Sequence, residues 1–220
     1  AEGPGEGPVA AEPPRPYAVP PPPQPPLPVP PPPSRPRRPR FWAVHLLIGL
    51  NVAYFLAMVI RGVDMIHPST VDLLRWGADL GLLTLSGQWW RVLTAMFVHV
   101  GAVHLLMNML SLWIIGRWVE LWLGGRWMLF VYMVTGLFAG LASSRWQYDV
   151  PSAGASGAVL GLFGVFWGMV LRGRLGLPAA VTSGLNRWAW SIVLLNGIFG
   201  AAVPNLNHLV HGVGLGTGLA

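Results

Sequence analysis

Six apolar segments, separated by shorter stretches rich in arginine and glycine, account for most of this chain after residue 40. The first runs from Phe41 to about Ile60, which is about the 20 residues that a helix needs to cross a bilayer. Because backbone amides find no hydrogen-bond partner in lipid, such segments cross as helices. The sequence therefore predicts an all-α membrane protein, a bundle of six transmembrane helices. The later spans are predicted at about 98–118, 127–144, 156–171 and 188–203, with a sixth from near 207.

The sixth span and the first connection depart from this regular pattern. Only about 14 residues follow position 207, which is short of a full crossing, so we expect the sequence to end inside that helix. Residues 61–97 are too polar to cross. Their apolar pieces and paired tryptophans favour a half-buried segment at the membrane interface.

The composition excludes several classes of protein. With 53% hydrophobic and 10% charged residues, the chain is too apolar for an ordinary soluble domain. It has no cysteine, which excludes disulfides, cysteine nucleophiles and thiolate metal sites. The net charge of +6 resembles a nucleic-acid-binding signal, but five of the arginines precede the first span, where cytoplasmic flanking charge is expected. We therefore expect the chain to lie in the lipid bilayer and to bind no nucleic acid.

Residues 1–40 form a separate region that contains eighteen of the 22 prolines. The segment has no apolar periodicity and cannot bury a core, so we predict a disordered Pro/Arg-rich cytoplasmic tail ahead of a helical domain at 41–220. A tail-binding partner that recognises proline-rich peptides is one alternative, and its identity is unknown. A passive, solvated tail is the preferred interpretation.

The arginines predict the orientation of the spans. With the N-terminus in the cytoplasm, the tail and the loops near 117–126 and 172–187 carry ten arginines, and the outer loops carry four. This bias agrees with the positive-inside rule and indicates a multi-pass protein, which we assign to the plasma membrane. Spans two, four and six then begin at one depth near the outer surface.

Polar residues lie in the first turns of span two. His104 and Asn108 are four residues apart and share one helical face, about a turn below His99. Polar side chains inside a membrane usually face the bundle and a partner. They either join helices by hydrogen bonds or act as donors that stabilise an oxyanion.

Span four begins with a serine in a run of small residues. Gly157 and Gly161 form a G-x-x-x-G stripe that lets a neighbouring backbone approach closely, and Gly154 precedes them in the turn. Ser156 at the helix head is either a helix cap or a nucleophile beside free backbone N–H groups and the positive end of the helix dipole.

Span six supplies two candidate bases. His211, Gly214 and Gly218 fall on one helical face, which is bare enough to pack against the glycines of span four. This packing would bring His211 within reach of Ser156. His208 lies on nearly the same face and remains an alternative base, although His211 is in register with the glycine seam.

Metal chemistry is not expected. The sequence has no H-E-x-x-H motif, and no carboxylate lies near these histidines in spans two, four or six, because Glu120 is at the other end of span two. No acid completes a Ser-His-Asp triad either. We expect a two-residue Ser–His arrangement with no metal and no cofactor.

Taken together, these motifs resemble the rhomboid family of intramembrane serine proteases over residues 41–220. The motifs that carry the resemblance are GASG around Ser156, the H-x-x-x-x-H-x-x-x-N of His99, His104 and Asn108, the H-x-x-G-x-x-x-G of His211, Gly214 and Gly218, the pair Trp90-Arg91, and Glu120 followed by Gly125-Arg126.

The resemblance implies a six-helix core with Ser156 as nucleophile, His211 as base, and Asn108 and His104 at the oxyanion. It also implies that the substrates are membrane proteins whose transmembrane segments unwind and enter from the side. Two other functions compete with this one. A catalytically inactive relative that binds client transmembrane helices would lack the serine or the histidine. A proton-relaying transporter would spread its polar residues across the bilayer instead of clustering them at one end.

Overall fold

The computed structural model describes residues 41–202 and 208–220, with side chains for 41–194 and 209–220. The proline-rich tail predicted for residues 1–40 lies outside this range. Within it the chain forms helices and one isolated backbone bridge. The helices are α1 (Trp42–Ile60), α2 (Thr70–Arg75), α3 (Gly81–Leu85), α4 (Arg91–Thr94), α5 (Ala102–Leu123), α6 (Gly125–Trp146), α7 (Ser156–Leu171), α8 (Ala179–Ala202) and α9 (His208–Leu219).

Three of these helices, α1, α5 and α6, are long and apolar enough to cross a membrane. The shorter apolar helices are α7 and α9, of 16 and 12 residues. Many large apolar side chains of the long helices point outward, among them Leu56 of α1, Leu106 of α5 and Phe138 of α6. Outward-facing apolar side chains on long helices are expected where the surroundings are lipid.

Two of the predicted spans had wrong bounds. Span two was predicted at 98–118, but α5 ends at Leu123, and α6 starts after a single linking residue, Gly124. A φ of 79° at Gly124 allows the chain to reverse there, since glycine adopts positive φ without a side-chain clash. Arg117, expected in a loop, lies inside α5. The helix before Pro204 also begins earlier than predicted, at Ala179 instead of 188.

A buried carboxylate joins α5 to the start of α1. Glu120 accepts hydrogen bonds from the backbone N–H groups of Ala43 and Val44, at 2.9 and 3.0 Å. The first turn of a helix leaves its N–H groups without partners inside the helix, and a negative charge there is favourable. Glu120 therefore fixes the beginning of α1 against the end of α5.

The connection between α1 and α5 is folded around Arg91. Its guanidinium donates to the carbonyl oxygens of Leu74 and Ala78, at 2.7 and 2.9 Å, and to Gln88, and it lies over the ring of Trp90. These bonds join the start of α4 to α2 and to the segments on either side of α3. Trp90 and Arg91, one of the motifs that carry the family resemblance, thus have a structural position in this connection.

Helix α7 lies in the centre of the bundle. It contacts α5, α6, α8 and α9, and most of its side chains are buried, from Gly157 to Val170. Its apolar residues, with those of α1, α5 and α6, form the larger hydrophobic core. Ser156 is therefore the first residue of a helix that is buried along most of its length.

Candidate active site

Ser156 is the first residue of α7, and the turn before it is defined by Gly154. Gly154 has a φ of 121° and donates its N–H to the carbonyl of Ala95, at 2.8 Å. The residue at the N-cap of α7 is Ala155, and no side chain caps this helix. The Ser156 hydroxyl is thus not a cap, and it is left to make another contact.

Helix α9 approaches α7 along glycines. A methyl group added at Gly214 would overlap the carbonyl of Gly157, and one added at Gly218 would overlap the carbonyl of Gly161. The two backbones are therefore in direct contact, as small-residue helix pairs in membranes allow.

The α-carbons of Gly157 and Gly161 also pack against a third helix. A methyl group at Gly157 would lie 2.8 Å from the side chains of both Ala139 and Val210, and one at Gly161 would overlap Thr135. Ala139 and Thr135 belong to α6. The stripe on α7 is consequently a junction of three helices, and not a two-helix seam.

His211 lies beside Ser156 across this junction. Its Nε2 is 2.9 Å from the Ser156 hydroxyl, a normal hydrogen-bond distance. His208 is the first residue of α9, but its side chain lies outside the described part of the chain, so its part as an alternative base stays a prediction.

His104 packs against the turn that precedes Ser156. A methyl group at Gly154 would come within 2.6 Å of Cε1 of His104. The Nδ1 of His104 accepts a long hydrogen bond, 3.4 Å, from the N–H of Val100. Because a neutral imidazole has one N–H, this bond places the proton on Nε2, the nitrogen nearer to Gly154. His104 thus presents a donor toward the turn.

Asn108 is buried one helical turn further along α5. Its amide Nδ2 donates to the carbonyl of His104, at 2.9 Å, which leaves the second N–H of the same amide for another acceptor. No direct bond joins Asn108 to Ser156 among the described residues. The structure therefore connects the two predicted oxyanion residues to each other and connects His104 to the turn.

His99, third in the same motif, is fully buried before α5 begins. Its Nδ1 donates to the carbonyl of Phe97, at 3.1 Å, and its ring centroid is 5.3 Å from that of His104. Burial, and then the neighbouring His104, lowers the pKa of His99 to about 4. His99 is hence neutral at physiological pH and adds no charge beside His104.

One residue at the site was missed in the sequence. Asp79 is buried and accepts hydrogen bonds from the hydroxyls of Ser144 and Thr84. Its backbone pairs with that of Ser152, four residues before Ser156. In the sequence Asp79 is one of several acids in a polar connection, and no local pattern distinguishes it from Asp64 or Asp72.

The geometry provides a hydroxyl, an imidazole and donors at one point. Ser156 and His211 form the hydrogen-bonded pair, and His104 lies on the adjoining turn. Free N–H groups at the start of α7 add to these donors. No group of three His, Cys, Asp or Glu residues able to hold a metal lies within the described ranges. Such a set suits acyl transfer by a serine.

Comparison with known proteins identifies the relatives of this chain. Residues 86–220 match the Rhomboid domain family. The chain is 33% identical to Rhomboid protease GluP of Bacillus subtilis over 171 residues, which cover 78% of this chain and 32% of that protein. It is 30% identical to Rhomboid protease AarA of Providencia stuartii over 131 residues, which cover 53% and 46%.

A plant relative shows the same likeness. The chain is 38% identical to RHOMBOID-like protein 2 of Arabidopsis thaliana over 96 residues, which cover 43% of this chain and 30% of that protein. The matched part spans between about a third and a half of the length of these relatives.

Proposed function

The chain belongs to the rhomboid family and is an integral membrane protein, and on that premise we propose that it is a serine endopeptidase that cleaves transmembrane segments of membrane proteins. In this proposal Ser156 is the nucleophile and His211 its general base. The observation that supports it most strongly is the 2.9 Å contact between the Ser156 hydroxyl and Nε2 of His211.

The reaction begins with proton transfer to the histidine. Neutral His211 accepts the Ser156 proton at Nε2 as the serine oxygen attacks the carbonyl carbon of the scissile peptide. His211 then gives this proton to the leaving amine, and the substrate's acyl group remains on Ser156 as an ester. Water, activated by the same histidine, hydrolyses the ester and restores the hydroxyl.

Three donors are proposed for the oxyanion that forms during the attack. They are the backbone N–H of Ser156, the free N–H of the Asn108 amide, and Nε2 of His104. Each well-placed donor of this kind is worth about 3 kcal/mol in the transition state. The positive end of the α7 dipole acts in the same direction.

The proposed substrates are transmembrane helices that unwind easily. The peptide bonds of a membrane helix are held in hydrogen bonds, so a segment with glycine, proline or polar residues near the cut exposes its carbonyl at lower cost. We expect a Gly-containing segment to be cleaved much faster than a poly-Leu one. Equal rates for the two would contradict this expectation.

We further place the N-terminus and the 1–40 tail in the cytoplasm of a cell whose plasma membrane is spanned by the 41–220 protease domain. The chain has no cysteine, so single cysteines report orientation cleanly. Ser86 lies in the α1–α5 connection and Ser183 near the start of α8, and both side chains are exposed. The variants Ser86→Cys and Ser183→Cys therefore each place one thiol where a reagent can reach it. A membrane-impermeant thiol reagent added outside intact cells should label the first and spare the second.

The test of the dyad compares Ser156→Ala, His211→Ala and His208→Ala with the unaltered chain, using a labelled transmembrane substrate in vesicles. We expect Ser156→Ala and His211→Ala each to lower cleavage by at least about a thousand-fold. A fluorophosphonate probe should label the serine of the unaltered chain and not Ser156→Ala.

Each other outcome has a definite meaning. Cleavage retained by Ser156→Ala would refute the serine mechanism, and loss in His208→Ala alone would make His208 the base. An unaltered chain that binds transmembrane clients but neither cleaves them nor reacts with the probe would be an inactive relative of the family.

A further inference from the structure

A positively charged side chain lies on the outside of the helix bundle near the start of α1. The guanidinium carbon of Arg117 is 4.7 Å from the ring centroid of Phe41 and 4.9 Å from that of Trp113. The charge thus lies against two aromatic rings. No acidic side chain neutralises it, since the ion pair found among the described residues joins Arg75 and Asp72.

Glu120, the nearest acid along α5, is not available to Arg117. Both of its carboxylate oxygens accept backbone N–H groups at the start of α1. The N–H groups of a guanidinium lie in its plane, whereas the two aromatic contacts are made by its central carbon with the rings. A planar guanidinium can donate two parallel bonds to a phosphate. Within the described part of the chain, Arg117 therefore makes aromatic contacts and no ion pair, and its N–H groups can serve a ligand.

The surface around Arg117 is a cleft of about 300 Å³. Its walls are apolar and exposed: Trp118 is 48% and Leu121 50% accessible. These side chains continue the outward-facing surface of α5, which is expected to meet lipid. The cleft is lined by Phe41, Trp113, Ile114, Arg117, Trp118 and Leu121.

The cleft begins beside Phe41, at the start of α1, where the chain is expected to pass the lipid headgroups. Phe41 immediately precedes α1, and Arg117 reaches it from about one and a half turns inside the end of α5. Tryptophan and arginine at the end of a membrane helix favour this interface. In the sequence Arg40 adjoins Phe41, and Arg35, Arg37 and Arg38 closely precede it. Basic residues next to a membrane helix attract anionic lipids.

We infer that this cleft binds one anionic phospholipid of the surrounding bilayer, with Arg117 donating to the headgroup phosphate and the apolar wall of Trp118 and Leu121 against an acyl chain. A soluble phosphate would meet the same guanidinium but would leave that wall uncovered. A phospholipid satisfies both halves of the cleft. This site is at the opposite end of the bundle from Ser156 and does not depend on the proposed protease activity.

The experiment titrates the full-length chain in a mild detergent with phosphatidylglycerol or phosphatidylcholine and counts bound lipids by native mass spectrometry. Both lipids carry a phosphate, but phosphatidylcholine is neutral overall. We expect tighter binding of phosphatidylglycerol, and a loss of about five-fold in Arg117→Gln, the change that about 1 kcal/mol for one basic residue near the membrane corresponds to.

Two further variants separate this site from general charge. Arg145→Gln removes an exposed arginine at the other end of the bundle, in the last turn of α6, and should leave phosphatidylglycerol binding unchanged. Arg117→Lys keeps the charge but loses the planar donors, so we expect a smaller loss than in Arg117→Gln. A thermal unfolding midpoint of Arg117→Gln equal to that of the unaltered chain verifies its fold.

Three results would overturn the inference. They are equal affinity for the two lipids, equal losses in Arg117→Gln and Arg145→Gln, and displacement of the lipid by inorganic phosphate at concentrations matched to the lipid. The last result would make Arg117 a phosphate site without a lipid component.

Discussion

Asp79 and Ser152 exchange two backbone hydrogen bonds, of 2.9 and 2.8 Å, between segments that are far apart in the chain. One segment is the connection between α1 and α5, and the other leads into the turn before Ser156. The Asp79 side chain extends the same link to α6 through the Ser144 hydroxyl. The start of α7 is consequently fixed from two sides, and the alignment of Ser156 depends on a carboxyl group that takes no part in the proposed chemistry.

The charge state of Asp79 should give the protein a pH-dependent stability. Burial, the largest influence, raises the pKa of Asp79, although hydrogen bonds from Thr84 and Ser144 and the charge of Arg91 oppose it. When the pKa of a carboxyl is higher in the folded state, its contribution to stability is complete below the pKa of the unfolded state, here about 3.8. This contribution is lost as the pH rises through the pKa of the folded state.

The thermal midpoint of the unaltered chain should therefore fall as the pH rises above about 4. Asp79→Asn cannot ionise at this position, so the midpoint of this variant should fall less. Asp79→Ala should destabilise the protein by about 1–3 kcal/mol at all pH values, because two buried hydroxyls lose their acceptor. Unfolding of detergent-solubilised protein between about pH 4 and 8 measures both. Parallel pH curves for the unaltered chain and Asp79→Asn would contradict this assignment.

Gly154→Ala should reduce both stability and cleavage, and Gly87→Ala should reduce stability alone. The two glycines have nearly the same φ, 121° and 117°, so each alanine variant bears similar backbone strain, about 1–3 kcal/mol. Nothing lies within 4 Å of a methyl group at Gly87, whereas one at Gly154 would displace His104. Rates of substrate cleavage in vesicles, compared at equal folded fraction, separate strain from displacement. Equal cleavage by the two variants would show that His104 is not needed at this position.

Gly214→Ala should separate α9 from α7 and move His211 away from Ser156. A displacement of about 1 Å of a reacting group costs on the order of a hundred-fold in rate. The matched control is Gly216→Ala, on the same helix, where a methyl group meets nothing within 4 Å. Labelling of Ser156 by a fluorophosphonate reports the geometry without a substrate. If Gly216→Ala impaired labelling as much as Gly214→Ala, close packing of the helices would not be the cause.

Glu120→Ala should destabilise the bundle by about 2–4 kcal/mol, because two buried N–H groups of α1 lose a charged acceptor. Glu120→Gln retains one acceptor oxygen and should cost about half as much. Arg126→Gln, at an exposed position in the first turn of α6, provides the control, with a change within about 0.5 kcal/mol. Thermal unfolding in detergent gives the order of the three variants. Equal stability of Glu120→Ala and Arg126→Gln would show that Glu120 does not anchor α1.

Local pattern located the long apolar helices, but it did not give all of their ends or the contacts that join them. The apolar run from Ser156 to Leu171 has the bounds of α7, since a glycine turn precedes it and Gly173 follows with a positive φ. The end of α5 was predicted too early because Arg117 looks like a loop residue. In the structure Arg117 remains helical, because its charge lies on aromatic rings at the helix surface.

Burial of polar groups was the main feature that the sequence did not predict. Asp79 and Glu120 have ordinary neighbours along the chain. Ser144, which binds Asp79, is 65 residues away from it, and both partners of Glu120 are 76 or more residues away. Histidines, by contrast, are conspicuous in apolar spans, so His104 and His211 could be found from spacing. The sequence indicates which polar residues are costly in a membrane, but only the packed bundle shows which acids bind distant segments of the chain.

The length of α7 has a further consequence for where a peptide bond could be cut. Its 16 residues extend about 24 Å, whereas the hydrocarbon layer of a bilayer is about 30 Å thick. With the far end of α7 at one surface, Ser156 lies about 6 Å beneath the other. Soluble proteases cannot reach a peptide bond at this depth, and hydrolysis there requires water to enter from the membrane surface. The shortness of α7 thus sets the depth in the bilayer at which the proposed cleavage would occur.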